Sequence, residues 1–468
     1  MKDVEVHPSI ADAECRPFWL DGVDRHRHAG EQLTGHRTCD LVVIGGGYTG
    51  LWTSLLAKER DPDLDVVLLE AEQVGWAASG RNGGFVSPCL THTTSNGVRR
   101  FAGEMPRLEA LGRQNLNEIG EAVRRYGIDC DWQRPGELLV ATQPWQLDDL
   151  RQTARFVEQF GGAPALLDAA EVRKEIDSPT YVGALADPEG SALVDPVRLV
   201  DGLHGACVAA NVRVHEHTRA TSIDVDGAGV TVTTLTGTVR ARKVALATSV
   251  FAPLLRRLRW YLIPVYDYVL VTEPLSQAQL ADVGWQRRQG VFDAAHQFHY
   301  YRLTADNRIL WGGYDAIYHY GNRIDESLER RKATANTLAT HFFETFPQLE
   351  GIRFTHSWGG VIDACTRFSP FFGTSHRGRV AYAAGYTGLG VGASRFGARV
   401  MLELLHGDEP ELRDLTMVRE RPRPFPPEPF RYAGVQLTRW SHARADAADG
   451  EENLWLRAMN RLGYGFGS

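Results

Sequence analysis

A glycine fingerprint and a following acid carry the first chemical signal in this chain. Gly45, Gly47 and Gly50 form Gly-x-Gly-x-x-Gly directly after the apolar residues 41–44, and Glu70 ends a second apolar run. In a β-α-β unit, such glycines allow a tight turn and bring a pyrophosphate close to a helix N-terminus, while the acid accepts hydrogen bonds from ribose hydroxyls. The pattern predicts a dinucleotide site, and Glu70 disfavours a 2′-phosphate and hence NADP.

A stretch of small residues follows the acid. Residues 74–84 read Val-Gly-Trp-Ala-Ala-Ser-Gly-Arg-Asn-Gly-Gly. Glycine destabilises an ordinary surface helix but lets the backbone lie close against a flat ligand. An NAD domain has no need of such a stretch at this point, so the stretch favours FAD. A flexible linker is the alternative interpretation.

The same stretch resembles the flavin-contacting segment of the D-amino-acid oxidase and glycine oxidase superfamily. The similarity is greatest to its gamma-glutamylputrescine oxidase branch, in which an acid, small residues and Ser-Gly-Arg-Asn-Gly-Gly recur. Similar motifs follow in the family's order: Asp-Pro at 195–196, Ala-Thr at 247–248, a hairpin at 298–313, Trp-Gly-Gly at 358–360 and a glycine cluster at 385–390. Their order and spacing extend the resemblance over residues 40–406.

This resemblance implies FAD as the cofactor. Non-covalent binding is expected because residues 76–84 contain no histidine or cysteine to carry a link. The helix that opens near Gly388 would direct free N–H groups and its positive dipole end at the negative charge of the reduced flavin. The residues predicted to contact the cofactor are Gly45, Gly47, Tyr48, Thr49, Gly50, Glu70, Ala71, Ser79, Gly80, Arg81, Asn82, Gly83, Gly84, Thr221, Thr248, Gly360, Gly385, Tyr386, Thr387, Gly388, Leu389 and Gly390.

The resemblance also implies a reaction. We expect oxidation of an amine or amino-acid C–N bond to an imine by hydride transfer to flavin N5, with reoxidation by O2 to give H2O2. The amine must be neutral, since its nitrogen lone pair assists C–H cleavage. No catalytic base is assigned, because the histidines are scattered and show no Ser-His-Asp or Cys-His pattern.

Aromatic and arginine side chains are the candidates for the substrate site. A substrate carboxylate would pair with an arginine through two parallel hydrogen bonds, and Arg302, Arg308 and Arg367 are candidates for this role. In the hairpin, strand alternation separates Tyr300 and Arg302 from Tyr301, and one of the two faces should line the cavity. The predicted aromatic wall consists of Tyr266, Tyr268, Tyr300, Tyr301 and Trp358.

The strands and helices that must position these residues indicate an α/β fold. With the second domain included, the chain is α+β overall. A Rossmann-like FAD-binding domain (40–97, 166–260 and 352–406) is interleaved with a substrate domain of mixed antiparallel sheet and helices (98–165 and 261–351). The resemblance implies this interleaving, and alternation at residues 265–271 favours a half-buried sheet in the second domain. Residues 1–39 form an N-terminal extension, and residues 407–468 form a tail with a proline-rich segment and a short helix.

Composition argues against several function classes. A formal net charge of −7 without a concentrated basic face gives no support for nucleic-acid binding. The cysteines lack C-x-x-C spacing, which predicts no metal site and fits a reducing cytoplasm. No apolar run approaches the roughly 18 residues of a membrane span. The expected partners are therefore a small amine or amino acid and an electron acceptor, and the oligomeric state is left open.

Three alternative functions are consistent with parts of the sequence. An FAD-dependent dehydrogenase would pass its electrons to an acceptor other than O2. An NAD-dependent dehydrogenase would share the fingerprint but would leave residues 79–84 and 385–390 unexplained. A non-catalytic FAD-fold protein would hold the cofactor, and no amine would reduce it.

Overall fold

Strands that are apolar throughout lie at the centre of the fold. The computed structural model describes residues 6–24, 27–227, 229–251 and 253–464, and these form two eight-stranded sheets and a two-stranded ribbon. The strands are β1 (Gly35–Ile44), β2 (Val66–Leu69), β3 (Phe85–Val86), β4 (Glu137–Ala141), β5 (Ala165–Asp168), β6 (Gly183–Asp187), β7 (Ala192–Leu193), β8 (Arg213–His215), β9 (Ala220–Asp226), β10 (Gly229–Thr234), β11 (Gly237–Leu246), β12 (Ile263–Thr272), β13 (Gly290–Asp293), β14 (His299–Leu303), β15 (Ile309–Gly313), β16 (Phe354–Ala364), β17 (Phe371–Ser375) and β18 (Val380–Ala384).

Helices cover the sheets and form the end of the chain. They are α1 (Tyr48–Arg60), α2 (Thr94–Phe101), α3 (Met105–Arg125), α4 (Gln146–Gln159), α5 (Ala169–Glu175), α6 (Pro196–Ala209), α7 (Gln277–Val283), α8 (Lys332–Thr345), α9 (Gly390–His406), α10 (Pro410–Arg413), α11 (Thr416–Arg419), α12 (Phe430–Asp446) and α13 (Leu454–Arg461). No helix in the described part of the chain combines the length and apolarity needed to cross a bilayer.

The first sheet has the predicted Rossmann-like centre. Its order is β17-β18-β11-β1-β2-β8, and β9 and β10 join it through β11. Strand β1 lies between β11 and β2, parallel to both. The last four residues of β1 and all of β2 are buried, as expected for parallel strands covered on both faces. Helix α1 packs against α9 and α6, so the glycine turn that precedes α1 is held from several sides.

The second sheet has two different faces, and this decides which residues can meet a ligand. Its order is β16-β12-β15-β14-β13-β4-β6-β5. Tyr266 and Tyr268 of β12 belong to an apolar cluster that includes Leu338 and Phe342 of α8. Their neighbour Asp267 points to the opposite face, because successive strand side chains alternate. One face is thus filled by α8, and the other is available to a cavity.

The sheet pairings move two of the predicted domain boundaries. Strand β6, from the segment assigned to the FAD domain, pairs with β4 in the second sheet. Strand β16, also assigned to the FAD domain, pairs along its length with β12. Alternation identifies a strand but not its partner, which is why the boundaries at residues 165 and 352 differ from the structure. The tail contains the predicted helix as α13 and, in addition, the longer helix α12.

Candidate active site

A cavity of about 1330 Å³ is lined by residues from both sheets. This volume exceeds the roughly 300–1,000 Å³ typical of sites for one small molecule. The first sheet contributes the turn before α1, the end of β2 and the start of α9, and the second sheet contributes its face opposite α8. The cavity therefore has room for a dinucleotide and a second molecule.

The glycine turn forms the dinucleotide end of this cavity. Gly45 has a φ of +109°, which favours glycine, and a Cβ there would overlap the Ala247 carbonyl oxygen. The backbone N–H of Tyr48, in the first turn of α1, donates to Ser79 Oγ at 3.0 Å. Ser79 thus ties the start of α1 to the small-residue stretch.

Glu70 is buried beside this turn. Its carboxylate accepts hydrogen bonds from the backbone N–H groups of Gly46 at 2.6 Å and Glu72 at 2.8 Å, and from the indole of Trp76 at 3.0 Å. Burial raises the pKa of Glu70, although these donors oppose the shift. The acid predicted to face a ribose lines the cavity and is held in place by its own neighbours.

A second buried carboxylate organises the loop that precedes α9. Asp363 of β16 accepts hydrogen bonds from the backbone N–H groups of Gly385 at 2.6 Å and Tyr386 at 3.2 Å. Burial raises the pKa of Asp363 to about 6, and the backbone donors oppose this rise. Helix α9 begins at Gly390, immediately after this loop, and no side chain caps its N-terminus. Its first N–H groups are therefore available to an anion.

Most of the predicted cofactor residues meet in this cavity. Lining it are Gly45, Gly47, Tyr48, Thr49, Glu70, Ala71, Ser79, Arg81, Asn82, Gly83, Thr248, Gly360, Tyr386, Thr387, Gly388, Leu389 and Gly390. Gly50, Gly80, Gly84 and Gly385 lie in the adjoining backbone and do not line the cavity. Thr221 is exposed on β9, and Thr218 and Arg219 lie in the wall instead. Thr221 therefore does not line the cavity, contrary to the prediction, whereas the residues just before it do.

The predicted aromatic substrate wall is largely wrong. Tyr266 and Tyr268 point to the α8 side, where their hydroxyls donate to the carbonyl oxygens of Asp325 and Leu328. Tyr301 also faces that side and shares a 2.6 Å hydrogen bond with the Tyr181 hydroxyl. Trp358 donates its indole N–H to the Arg81 carbonyl and packs against Trp19. Tyr300 lines the cavity, because it alternates with Tyr301 along β14.

The three arginines proposed as carboxylate partners are engaged elsewhere. Arg302 is 1% exposed and donates to the carbonyl oxygens of Val194 and Gly84. Arg367 is also buried, and its guanidinium donates to the carbonyl oxygens of Glu420, Pro370 and Met417. Arg308 bonds to Asp306 and to Thr272 and Thr355. Each therefore supports the fold, and none lines the cavity.

A different set of aromatic rings forms the wall near residues 79–84, the segment predicted to contact the flavin. Phe85 lies 4.9 Å from Phe292 and 5.7 Å from Tyr300, measured between ring centroids. His92 lies between Phe298 and Phe368, at 6.5 and 5.5 Å. The sequence offered one signal for this wall, since Phe298 precedes Tyr300 by two residues and shares its side of the hairpin.

The C-terminal tail closes one side of the same cavity. Thr438, Arg439 and His442 of α12 lie in the wall, together with Trp145 and His296 of the main body. Asp446 of α12 accepts hydrogen bonds from His296 Nδ1 at 2.7 Å and from the backbone N–H groups of His296 and Gln297. Arg439 pairs with Asp315 at 3.1 Å. The tail is therefore part of the site, which the sequence did not indicate.

We expect the docking of α12 to depend on pH through His296. Burial opposes the charge on His296, but the hydrogen bond and charge of Asp446, together with the charges of Glu452 and Asp149, outweigh it and raise the pKa of His296. This stabilisation is present below about pH 6.5 and is lost as pH rises through the raised pKa. Asp446→Asn should remove about 1.5–3 kcal/mol of docking free energy at low pH. Hydrogen exchange of α12 amides at pH 5.5 and 8.5 measures this.

The control for this measurement is Arg444→Ala on the same helix, since Arg444 is exposed and covers Trp440. Wild type and Arg444→Ala should lose α12 protection between the two pH values, while Asp446→Asn should be weakly protected at both. Equal, pH-independent protection in all three proteins would contradict the role of the pair.

The fold, the glycine turn and the carboxylate-held loop define a flavin-dependent oxidoreductase, and comparison with known proteins gives the family. The family described as FAD dependent oxidoreductase (DAO) matches residues 40–404. The chain belongs to this family, and FAD is its cofactor. The residues present fit FAD, because a Cβ at Gly388 or Gly390 would meet open space within the cavity wall. The family match ends at residue 404, so α12 and its contacts with the cavity lie beyond it.

Individual relatives include proteins with different activities. The gamma-glutamylputrescine oxidoreductase of Escherichia coli (strain K12) is 34% identical over 375 residues, which cover 79% of this chain and 84% of that protein. The glycine oxidase of Geobacillus kaustophilus (strain HTA426) is 24% identical over 355 residues, covering 74% and 86%.

Solved structures share the fold at low identity. Glycine oxidase from Geobacillus kaustophilus superposes with a TM-score of 0.68 at 20% identity, covering 82% of this chain and 99% of that one. L-proline dehydrogenase from P. horikoshii gives 0.67 at 16% identity, covering 80% and 94%. These likenesses establish the fold, and they include both an oxidase and a dehydrogenase.

Proposed function

We propose that this flavoprotein oxidises a cationic amine at its C–N bond, giving an imine that water hydrolyses. The observation that carries the proposal is the acidic character of the cavity face of the second sheet. Glu137 of β4, Asp187 of β6 and Asp267 of β12 all line the cavity. Burial raises the pKa of each, which reflects the cost of holding these carboxylates away from water. A positively charged substrate would relieve that cost.

The arginines favour an amine over an α-amino acid. Arg302, Arg308 and Arg367 are committed to protein groups, as described above. Five arginines line the cavity, and three of them pair with acids: Arg81 with Glu329, Arg219 with Glu72 and Arg439 with Asp315. Of the other two, Arg113 donates to the Phe160 carbonyl oxygen, and Arg99 lies in the last turn of α2. The similarity to gamma-glutamylputrescine oxidoreductase agrees with an amine that carries a second polar group. An amino acid is the second candidate, and the name of the glycine oxidase relative supports it.

In this reaction the protein positions the cofactor and the substrate and excludes water from them. Bound FAD supplies the two-electron oxidant. Asp363 holds residues 385–387 so that the N-terminus of α9 faces the cavity, where it can stabilise negative charge. The rings of Phe85, Phe292 and Tyr300 give the opposite wall a dry surface.

The test is anaerobic bleaching of the purified yellow protein by a panel of amines. The panel contains putrescine, γ-glutamylputrescine, N-methyl amino acids and D-amino acids. We expect γ-glutamyl amines or polyamines to bleach the flavin fastest, with a rate that falls at low pH, where the amine cannot lose its proton. Retention of FAD without bleaching by any member would favour a non-catalytic FAD-fold protein. Fastest bleaching by a D-amino acid would favour the second candidate.

Three finer expectations belong with this proposal. We favour O2 as the electron acceptor over another acceptor, and peroxide formed in proportion to amine consumed would distinguish the two. FAD should be released when the protein is precipitated with acid, because the predicted attachment is non-covalent. A cytoplasmic location stays a prediction that cell fractionation would test.

A further inference from the structure

Asp267 is a half-buried carboxylate in the wall of the cavity. Asp267 lies on β12 between Val265 and Val269, and all three line the cavity. Its carboxylate accepts a 2.5 Å hydrogen bond from the Tyr300 hydroxyl and another from the Gly313 backbone N–H. No salt bridge among the described residues includes Asp267. Holding a carboxylate between Val265 and Val269 without a cation costs free energy, so packing alone does not account for an acid at this position.

The Asp267–Tyr300 pair lies directly beside residues 79–84, the segment predicted to contact the flavin. A Cβ at Gly83 would be 2.8 Å from the Tyr300 ring, so that ring packs on the Gly83 backbone. Gly360, another predicted flavin contact, is the register partner of Asp267 on β16. The carboxylate therefore lies at the wall of the cavity where the glycine segment and the second sheet meet.

We propose that Asp267 binds the ammonium group of the amine substrate and accepts the proton that this group must lose before oxidation. This role rests on the proposed function and adds a catalytic residue to it. The Tyr300 hydroxyl is the positioning group, because its hydrogen bond to Oδ2 fixes the orientation of the carboxylate.

Proton transfer precedes the cleavage of the C–H bond. The substrate R–CH2–NH3⁺ transfers one N–H proton to the Asp267 carboxylate, giving R–CH2–NH2 and a neutral carboxylic acid. The C–H bond then breaks, its hydrogen leaves with both electrons to the oxidant, FAD, and the nitrogen lone pair forms the C=N bond of R–CH=NH2⁺. The proton on Asp267 returns to solvent as the product leaves.

The surroundings of Asp267 fit this task. Burial raises its pKa to about 6, while the hydrogen bond from Tyr300 and nearby His299 oppose the rise. Tyr268, on the other face of β12, is the further titratable neighbour, and Arg81 beside Gly360 is paired with Glu329. Asp267 is thus ionised at neutral pH and is a stronger base than an exposed aspartate. Below about pH 6 it is protonated, so both ammonium binding and proton acceptance should be lost.

The first experiment measures anaerobic flavin reduction by γ-glutamylputrescine and putrescine between pH 5 and 9. In Asp267→Asn, which preserves shape, we expect the limiting rate to fall about 10²–10⁴-fold and the acid limb near pH 6 to disappear, with unchanged FAD content. Tyr300→Phe should move that limb to higher pH, because it removes a donor to the charged carboxylate. Asp148→Asn, at an exposed acid on α4 that does not line the cavity, is the matched control and should keep the wild-type rate and limb.

A second measurement separates this proposal from the proposed function. Calorimetric titration of the holoenzyme with butylammonium chloride at pH 8 tests the ammonium contact without turnover, and we expect affinity to fall at least tenfold in Asp267→Asn. If no amine bleaches the wild type, the proposed function fails. If the wild type is bleached and Asp267→Asn keeps its rate and its acid limb, the assignment of Asp267 is overturned. Equal affinity of the two proteins for butylammonium, detectable or not, also overturns it.

Discussion

Gly50→Ala should prevent this protein from folding as a flavoprotein. A Cβ at Gly50 would overlap the Gly45 carbonyl oxygen, and the Val43 side chain lies 3.4 Å away. Neither can yield, since Gly45 begins the turn and Val43 is fully buried in β1. Overpacking at a backbone contact should lower the free energy of unfolding by roughly 3 kcal/mol or more. Thermal unfolding and the ratio of flavin to protein absorbance measure both consequences.

A glycine elsewhere provides the matched control for this change. A Cβ at Gly103 would have no atom within 4 Å, and its φ is not in the left-handed region. Gly103→Ala should therefore retain wild-type FAD content and melting temperature. Full FAD content in Gly50→Ala would show that the helix and the strand are not in the contact described here.

Asp363→Ala should release the loop that precedes α9. Two buried backbone donors, the N–H groups of Gly385 and Tyr386, would lose their acceptor. Each unsatisfied donor costs about 1–3 kcal/mol, so the free energy of unfolding should fall by roughly 2–6 kcal/mol. Because this loop positions the N-terminus of α9, we also expect FAD affinity to fall by at least tenfold. Equilibrium dialysis of FAD against the variant measures this.

The pH dependence of stability gives an independent check on Asp363. Its pKa in the folded protein is about 6, above the roughly 3.9 of an unfolded chain. The stability linked to this proton is therefore full below about pH 4 and is lost as pH rises through 6. The difference in unfolding free energy between wild-type apoprotein and Asp363→Asn, which cannot ionise, should grow in favour of the variant between pH 4 and 7. A constant difference would contradict the raised pKa.

The sequence predicted the cofactor side of the site better than the substrate side. Gly45, Glu70 and Ser79 line one cavity as predicted, because they belong to one β-α-β unit and the segment directly after it, so that the order of these elements along the chain brings them together. The substrate side depends on which face of β12 and β14 is turned inward. Tyr266 and Tyr268 have side chains suited to a substrate wall, but Asp267 between them is the residue that faces the cavity.

Alternation along β12 indicated in part which residue could face the cavity. Val265, Asp267 and Val269 lie two residues apart, and a carboxylate within an apolar strand face calls for an explanation. Alternation separates two faces but does not say which one α8 will cover. That choice is made by packing of Phe342 and other α8 side chains, which are distant from β12 in the sequence.

The sequence by itself determined the family, the cofactor and the cofactor-binding turn, because these follow from contiguous residues whose backbone must meet a phosphate and a flat ring. Only the tertiary structure decided the substrate side. It turned Arg302 and Arg367 toward backbone carbonyls, placed Asp267 beside Tyr300, and brought α12 to the cavity through Asp446 and His296. These contacts join residues that are 33 to 150 positions apart. Long-range contacts of this kind are set by the packing of whole elements, which no local pattern records.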